Sequence, residues 1–308
     1  MSRVEAQVRP RWAFRLPGAS PDGVLRRRGR ALERLVHVDG EPVTVSVSQP
    51  SPGLVRISAE GRNPDGCEEA IDRMRFALSL DDDLADFHRR FRDDPLIGSS
   101  VRARPWLRLH RRPRSFEALA WAVTEQLIEY RRAVGIQRRI IASLGRRDGN
   151  SGLAEPPDAG AVAAAAPAQL EAAGLSASRS LSLRRVARMA ALGRVDLDSS
   201  AHGETCVRLR TVPGIGRWTV DVFAVGGQGR YDAIPAGDLG FLKWCGRALY
   251  QRPGSLASEE QVREIFAPYG EWAALAGAHA LRISSPGAER LRRAGTRWSS
   301  PREAPSRA

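Results

Sequence analysis

The sequence predicts a mainly α-helical chain preceded by a small α+β unit built on an antiparallel sheet. Three observations carry this. Apolar residues alternate with a period of two only within about the first 60 positions. Helical periodicity interrupted by Gly/Pro turns dominates after residue 105, where strand signals are scarce. The length of 308 residues, at roughly 150 residues per domain, accommodates two compact units.

Each element follows in order. Val43, Val45 and Val47 share one face while Thr44, Ser46 and Ser48 share the other, and Val55, Ile57 and Ala59 repeat the pattern after the Gln49–Gly53 turn. Asp39-Gly40 is a hairpin signal joining Leu35–Val38 to Val43–Val47. A helix is expected over Glu68–Leu80, with Ile71, Met74, Phe76 and Leu78 apolar, and a short acidic-to-basic helix over Asp81–Phe91. From Arg102 to Arg114 the chain is basic around a single aromatic, Trp106. Ser115 is positioned to cap the next helix, whose stripe runs Phe116, Leu119, Ala120, Val123, Leu127. Gly145–Gly160 reads as a surface loop, Ala161–Ala173, Ser182–Leu192 and Glu204–Arg210 as helices, and the Ser/Pro/Arg-rich tail as loose. The expected units are 1–104 (α+β), 105–285 (all-α) and a flexible basic tail, 286–308.

Charge is the outlier. Forty-eight basic against 35 acidic residues give a net charge of +13, which favours a polyanionic partner, nucleic acid first. Lys243 is the only lysine, so amine chemistry has one side-chain candidate besides the terminal amine. Cys67, Cys206 and Cys245 are dispersed without a CxxC pair, which argues against a disulfide framework and excludes an all-cysteine zinc or iron–sulfur site. The five histidines lack HxxxH or HExxH spacing, and neither an apolar run of about 18 residues nor a signal-type apolar segment is present. The expectation is a cytoplasmic protein, nucleoid-associated if bacterial, without a membrane partner.

Residues 204–250 carry the sharpest signal. A helix ending in Leu209-Arg-Thr-Val-Pro-Gly-Ile-Gly216 turns into Arg217-Trp218-Thr219. Gly214 and Gly216 allow a sharp turn and close backbone approach, and the next helix N-terminus presents unpaired N–H groups and the positive dipole end to a phosphate. Downstream, Ala233-Ile-Pro-Ala-Gly-Asp238 opens another apolar helix. A lone Gly-x-Gly is most often just a turn. The full string, with the Gly/Pro-rich loop ending in aspartate, resembles the helix-hairpin-helix motif of the DNA glycosylase superfamily, in particular its 3-methyladenine DNA glycosylase II branch. The likeness takes in the N-terminal sheet unit, the Phe116–Leu144 helix with its Gln126-Leu127 pair, Leu181–Leu192 and 204–282.

The resemblance implies a fold, a reaction and residue roles. The fold is a helix-hairpin-helix glycosylase domain behind the small sheet domain. Val212, Gly214, Ile215, Gly216, Arg217 and Thr219 would hold DNA. Asp238 would stabilise an oxocarbenium-like sugar and orient water, although Gly-Asp before an apolar helix is also an ordinary capping context. Asp221 and Asp232 are rival carboxylates. Strand-cutting superfamily members carry a lysine two residues after the second hairpin glycine; Trp218 stands there, which implies a monofunctional, water-using hydrolase without a cofactor. Trp218 either stacks on an extruded base or fills core. Leu127 matches the branch's duplex wedge, with Gln126 beside it, or else packs in the helix stripe.

Where the branch places further pocket aromatics, this chain has Val222 and Ala278; Tyr269, Trp272 and His279 lie nearby and could compensate, Tyr269 and Trp272 as substrate contacts, or each could equally be core. Arginines at 102–114, 131–132 and 138–139 could line a DNA track. The expected partner is damaged double-stranded DNA, met as a monomer, with a downstream abasic-site endonuclease engaged only transiently. A non-catalytic DNA-binding module and a bifunctional glycosylase/lyase working through Lys243 or the terminal amine remain as alternatives.

Overall fold

The computed structural model describes residues 1–199, 201–252 and 254–283; the expected tail at 286–308 lies outside them. Five antiparallel strands, β1 (Ser2–Val8), β2 (Arg26–Arg28), β3 (Ala31–Val38), β4 (Glu41–Ser51) and β5 (Leu54–Gly61), form one sheet in the order β1-β5-β4-β3-β2. The Asp39-Gly40 signal holds: both residues take positive φ, 49° and 84°, the conformation of a tight primed hairpin. Register follows the alternation, with Val36 opposite Val43 and Val47 opposite Ile57. The apolar face so produced buries Val43, Val45, Val47, Val55 and Ile57 beneath Cys67, Ala70, Ile71 and Met74 of α1 (Pro64–Ala77).

The helices are α2 (Ala85–Phe91), α3 (Gly98–Ala103), α4 (Ser115–Glu125), α5 (Tyr130–Leu144), α6 (Ala159–Ala164), α7 (Pro167–Ala172), α8 (Ala177–Ala191), α9 (His202–Arg210), α10 (Arg217–Gly226), α11 (Leu239–Tyr250), α12 (Glu259–Phe266) and α13 (Ala273–Ala280), with a 3-10 turn over Ala267–Trp272. They form two apolar cores. One joins α4, α5, α8 and α10; the other joins residues 84–109 with 234–280. The packing of α2 and α3 therefore follows the C-terminal helices, and the cut expected at residue 104 does not coincide with the cores. No described helix is long and apolar enough to cross a membrane.

Several expectations are corrected, each for a specific reason. Asp81–Phe91 is not one helix, because the Asp83 carboxylate accepts the Ala85 N–H (2.9 Å) and the helix starts there. Ser115 does not cap α4: it lies inside the helix, and its hydroxyl turns to Asp198 and to the Gly227 carbonyl (3.1 Å). The Ala161–Ala173 helix breaks at Pro167, which forces Ala166 into an extended conformation. The 145–160 segment is more ordered than a plain loop. It contains a short ladder, β6 (Arg146–Arg147) with β7 (Ala154–Glu155), anchored where buried Glu155 takes bonds from His37, Arg114 and Arg146.

One buried histidine ties stability to pH. His279, fully buried, faces the Ser100 hydroxyl (3.0 Å) and stacks on Phe87. Burial, reinforced by His88 and Arg104, holds its imidazole down at about 3. The unfolded chain therefore takes up a proton below about 6.5 that the folded chain refuses, so stability is fully present above that pH and lost toward 3. Denaturant titrations should show this group removing about 2 kcal/mol between pH 6.5 and 5. The difference should disappear in His279→Asn; an equal pH dependence in that variant would refute the assignment.

Candidate active site

The hairpin between α9 and α10 is built from its two apolar residues outward. Val212 and Ile215 are buried in the core with Leu209 and Val220, and the Ile215 N–H closes the turn on the Val212 carbonyl at 3.0 Å. Gly214 takes φ +87°, and a Cβ there would strike the Ser182 hydroxyl. Gly216 is extended and supplies no side-chain cap, which leaves the first N–H groups of α10 uncapped beside exposed Arg217. Such a helix end favours an anion. Gly214, Gly216 and Arg217 thus lie at the surface. The side chains of Val212, Ile215 and Thr219 are buried and anchor the turn.

The turn is also tied to α4. Gln126 donates through Nε2 to the Gly214 carbonyl (2.8 Å) and to Thr219 Oγ1 (2.7 Å). This bond explains a second correction: α4 ends at Glu125, so the Phe116–Leu144 helix is two helices and the stripe stops before Leu127. Leu127 has φ +53° and is fully exposed. Its neighbours are held from behind by Arg179, which donates to the Thr124 (3.2 Å) and Gln126 (3.3 Å) carbonyls. A bare leucine at the tip of a fixed loop is not core packing.

Asp238 N-caps α11. Its Oδ1 accepts the Gly240 N–H at 2.7 Å, and its own N–H closes the loop on the Pro235 carbonyl at 2.8 Å. Gly237 sets this loop between α10 and α12: an added Cβ would make ordinary contact with Trp218 Cβ at 3.6 Å and would meet the Glu259 carboxylate of α12 at 2.7 Å. The carboxylate is only partly buried, and among the described residues its Oδ2 takes no hydrogen bond. Capping and availability therefore coexist. The rival carboxylates are occupied: Asp221 pairs with Arg263 (3.2 Å), burial pushing its carboxyl up, and Asp232 pairs with Arg230. Lys243 is exposed on α11, one turn beyond Asp238.

The expected pocket aromatics divide. Trp218 is half-buried against Gly237, and its indole N–H is buried without a partner among the described residues. Trp272 lies between Phe87 and Tyr231, ring centroids 5.7 and 5.2 Å away, with its N–H likewise unpaired. Tyr269 is a correction: it is 2% exposed, packed between Phe91 and Phe266, and its hydroxyl donates to Asp94 at 2.9 Å. His279 is core as well.

Sequence reasoning passed over Glu125 and Arg179. Glu125, an acid directly before Gln126, feels the charge of Asp238; its carboxyl is pushed up chiefly by burial. An ionisable residue closing the apolar run Ala118–Val123 is a visible signal. Arg179, more than 50 positions from the loop it braces, left none.

No family model matches the sequence. A DNA-3-methyladenine glycosylase of Bacillus subtilis is 25% identical over 224 residues, 70% of this chain and 72% of the relative. DNA-3-methyladenine glycosylase 2 of Escherichia coli is 32% identical over 133 residues, covering 42% of this chain and 47% of that protein. Among solved structures, a 3-methyladenine DNA glycosylase from Archaeoglobus fulgidus superposes with a TM-score of 0.76 at 22% identity, over 91% of this chain and 99% of the other. With the hairpin, the aspartate-ended loop and the sheet unit in place, the chain has the fold of the archaeal glycosylase and is similar in sequence to the two DNA-3-methyladenine glycosylases.

Proposed function

We propose that the chain is a monofunctional DNA glycosylase of base excision repair. It extrudes an alkylated base of the 3-methyladenine type from duplex DNA, hydrolyses the N-glycosidic bond with Asp238 and leaves an abasic site. The observation that carries this reading is a juxtaposition: a capped aspartate with an oxygen to spare, in the loop whose Gly237 packs on Trp218, the residue that stands where a lyase would need lysine. The names of the B. subtilis and E. coli relatives support the substrate class.

The chemistry follows from the geometry. As the glycosidic bond lengthens, the sugar gains oxocarbenium character. A carboxylate fixed beforehand by its own helix N-terminus stabilises that charge without reorganising. Its unbonded oxygen orients the attacking water. Trp218 and Trp272 offer π-faces to an electron-poor base. The uncapped N-terminus of α10, with Gly214, Gly216 and Arg217, holds a phosphate, while Leu127 enters the gap left by the base and Gln126 keeps that loop on the hairpin.

The sheet unit works as a brace behind a two-core helical body, the protein acts as a monomer on damaged duplex in the cytoplasm, and the abasic product passes to an endonuclease that is bound only transiently.

Base release from methylated duplex, scored separately from strand breaks, tests the reading. Free 3-methyladenine with breaks only after alkali supports it. Breaks without alkali, or covalent trapping on DNA by borohydride, would establish a lyase working through Lys243 or the terminal amine. Tight binding with no release would establish a binding module. Leu127→Ala should cut release about tenfold, equivalent to the ~1.5 kcal/mol that burying a leucine side chain in the duplex supplies. Its melting temperature should stay unchanged, since the side chain is fully exposed in the folded protein; a lowered melting temperature would argue against the wedge.

A further inference from the structure

The outer face of α8 forms a groove with α6 that neither the hairpin nor the Asp238 loop uses. Small side chains make it: Gly160, Ala163 and Ala164 of α6 leave about 400 Å³ open against α8. Leu181 and Leu192 line its α8 side, 43% and 54% exposed. Between them in sequence stand Arg184, Arg185 and Arg188, and no acidic side chain lines the groove. Arg185 and Arg188 are exposed, and the Nε of Arg184 is buried without a partner. Among the described residues none of the three guanidinium groups makes a hydrogen bond or an ion pair. The groove lies beside the hairpin without belonging to it. Ser182 donates to the Pro213 carbonyl at 2.7 Å, whereas Leu181, one position earlier, points about 100° away around the helix.

We propose that this groove binds an acidic peptide segment of a partner protein, its carboxylates on the three arginines and a leucine-like side chain over the alanine floor. Two properties select that occupant. Unpaired guanidinium groups call for anions, and they hold carboxylates in a two-bond fork. Exposed leucines beside alanines call for apolar surface to cover them. A nucleic-acid backbone supplies the anions alone and would lay charged phosphate against the leucines. From Leu181 to Leu192 the helix rises ~16 Å, the length of about five extended residues, so a short tail or loop suffices. Seated there, the segment tethers its protein next to the hairpin and leaves Asp238 uncovered.

Fluorescence anisotropy of the full chain with a labelled synthetic peptide, a run of glutamates followed by a leucine pair, tests this. The double variant Arg185→Gln with Arg188→Gln should weaken peptide binding about tenfold or more, the loss of two charge-assisted contacts. Leu181→Ser should weaken it severalfold, as should alanines in place of the peptide's leucines. Affinity for undamaged duplex, measured in the same variants at physiological salt, should stay within about threefold of wild type, because exposed charges beyond a Debye length of roughly 8 Å are screened. A peptide that does not bind, binding indifferent to the arginine and leucine variants, or equal affinity for the alanine peptide would overturn the proposal. A parallel tenfold loss of duplex affinity in the double variant would assign the face to the DNA backbone and overturn it as well.

Discussion

Asp238→Asn should release alkylated base about a hundred- to a thousandfold more slowly than wild type while melting at the same temperature. The two halves of this result come from the two jobs of one side chain. Asparagine caps a helix about as well as aspartate, so its side-chain oxygen can keep the 2.7 Å bond to the Gly240 N–H. It has no charge to set against an oxocarbenium-like sugar, and losing one preorganised electrostatic partner typically costs about 3–4 kcal/mol of barrier. Asp238→Ala should lose both, the activity and about 1 kcal/mol of stability. Full activity in Asp238→Asn would reduce the residue to its cap. A large drop in melting temperature would mean that the lower activity reports folding.

The largest effect on stability is expected at Glu117. This α4 carboxylate, 2% exposed, bonds Arg34 of β3 and lies 3.5 Å from Arg112. Burial pushes the carboxyl up while the two arginines pull it down. Nearby, Asp22 holds Arg112 and the Trp121 indole N–H, each at 3.1 Å. Glu117→Gln would strand the Arg34 guanidinium in the interior, at about 3–5 kcal/mol. That is a large part of the roughly 5–15 kcal/mol that stabilises a typical fold. Thermal unfolding should shift down by roughly 10 °C. The double variant Arg34→Met with Glu117→Met should recover most of the loss, because two buried apolar groups leave no charge unpaired. A Glu117→Gln protein as stable as wild type would show that the pair contributes nothing.

What could be read from the sequence was local. The alternation at 43–47 and 55–59 and the Asp39-Gly40 turn each state a backbone preference within a few residues, and the sheet carries them through. The hairpin string worked likewise, since two glycines and two apolar anchors specify a turn without outside help. The misses at the site are non-local. Nothing near Gln126 says that it will bond the Gly214 carbonyl, 88 positions away, and end its own helix. Tyr269 and Trp272 look alike beside the motif, and only packing against Phe91 and Phe266 consigns the tyrosine to the core. Arg34 and Glu117, 83 positions apart, are ordinary charges until the sheet is laid against α4.

The left-handed backbone at Leu127 restricts which residues can replace it. A side chain branched at Cβ is a true outlier at positive φ, so valine or isoleucine would have to drag the loop out of the conformation that Gln126 and Arg179 impose on it. Leucine and methionine can exchange in place. Glycine and asparagine keep the backbone and remove the apolar tip. The repertoire open to natural variation at this tip is set by the protein's own loop before any duplex is met.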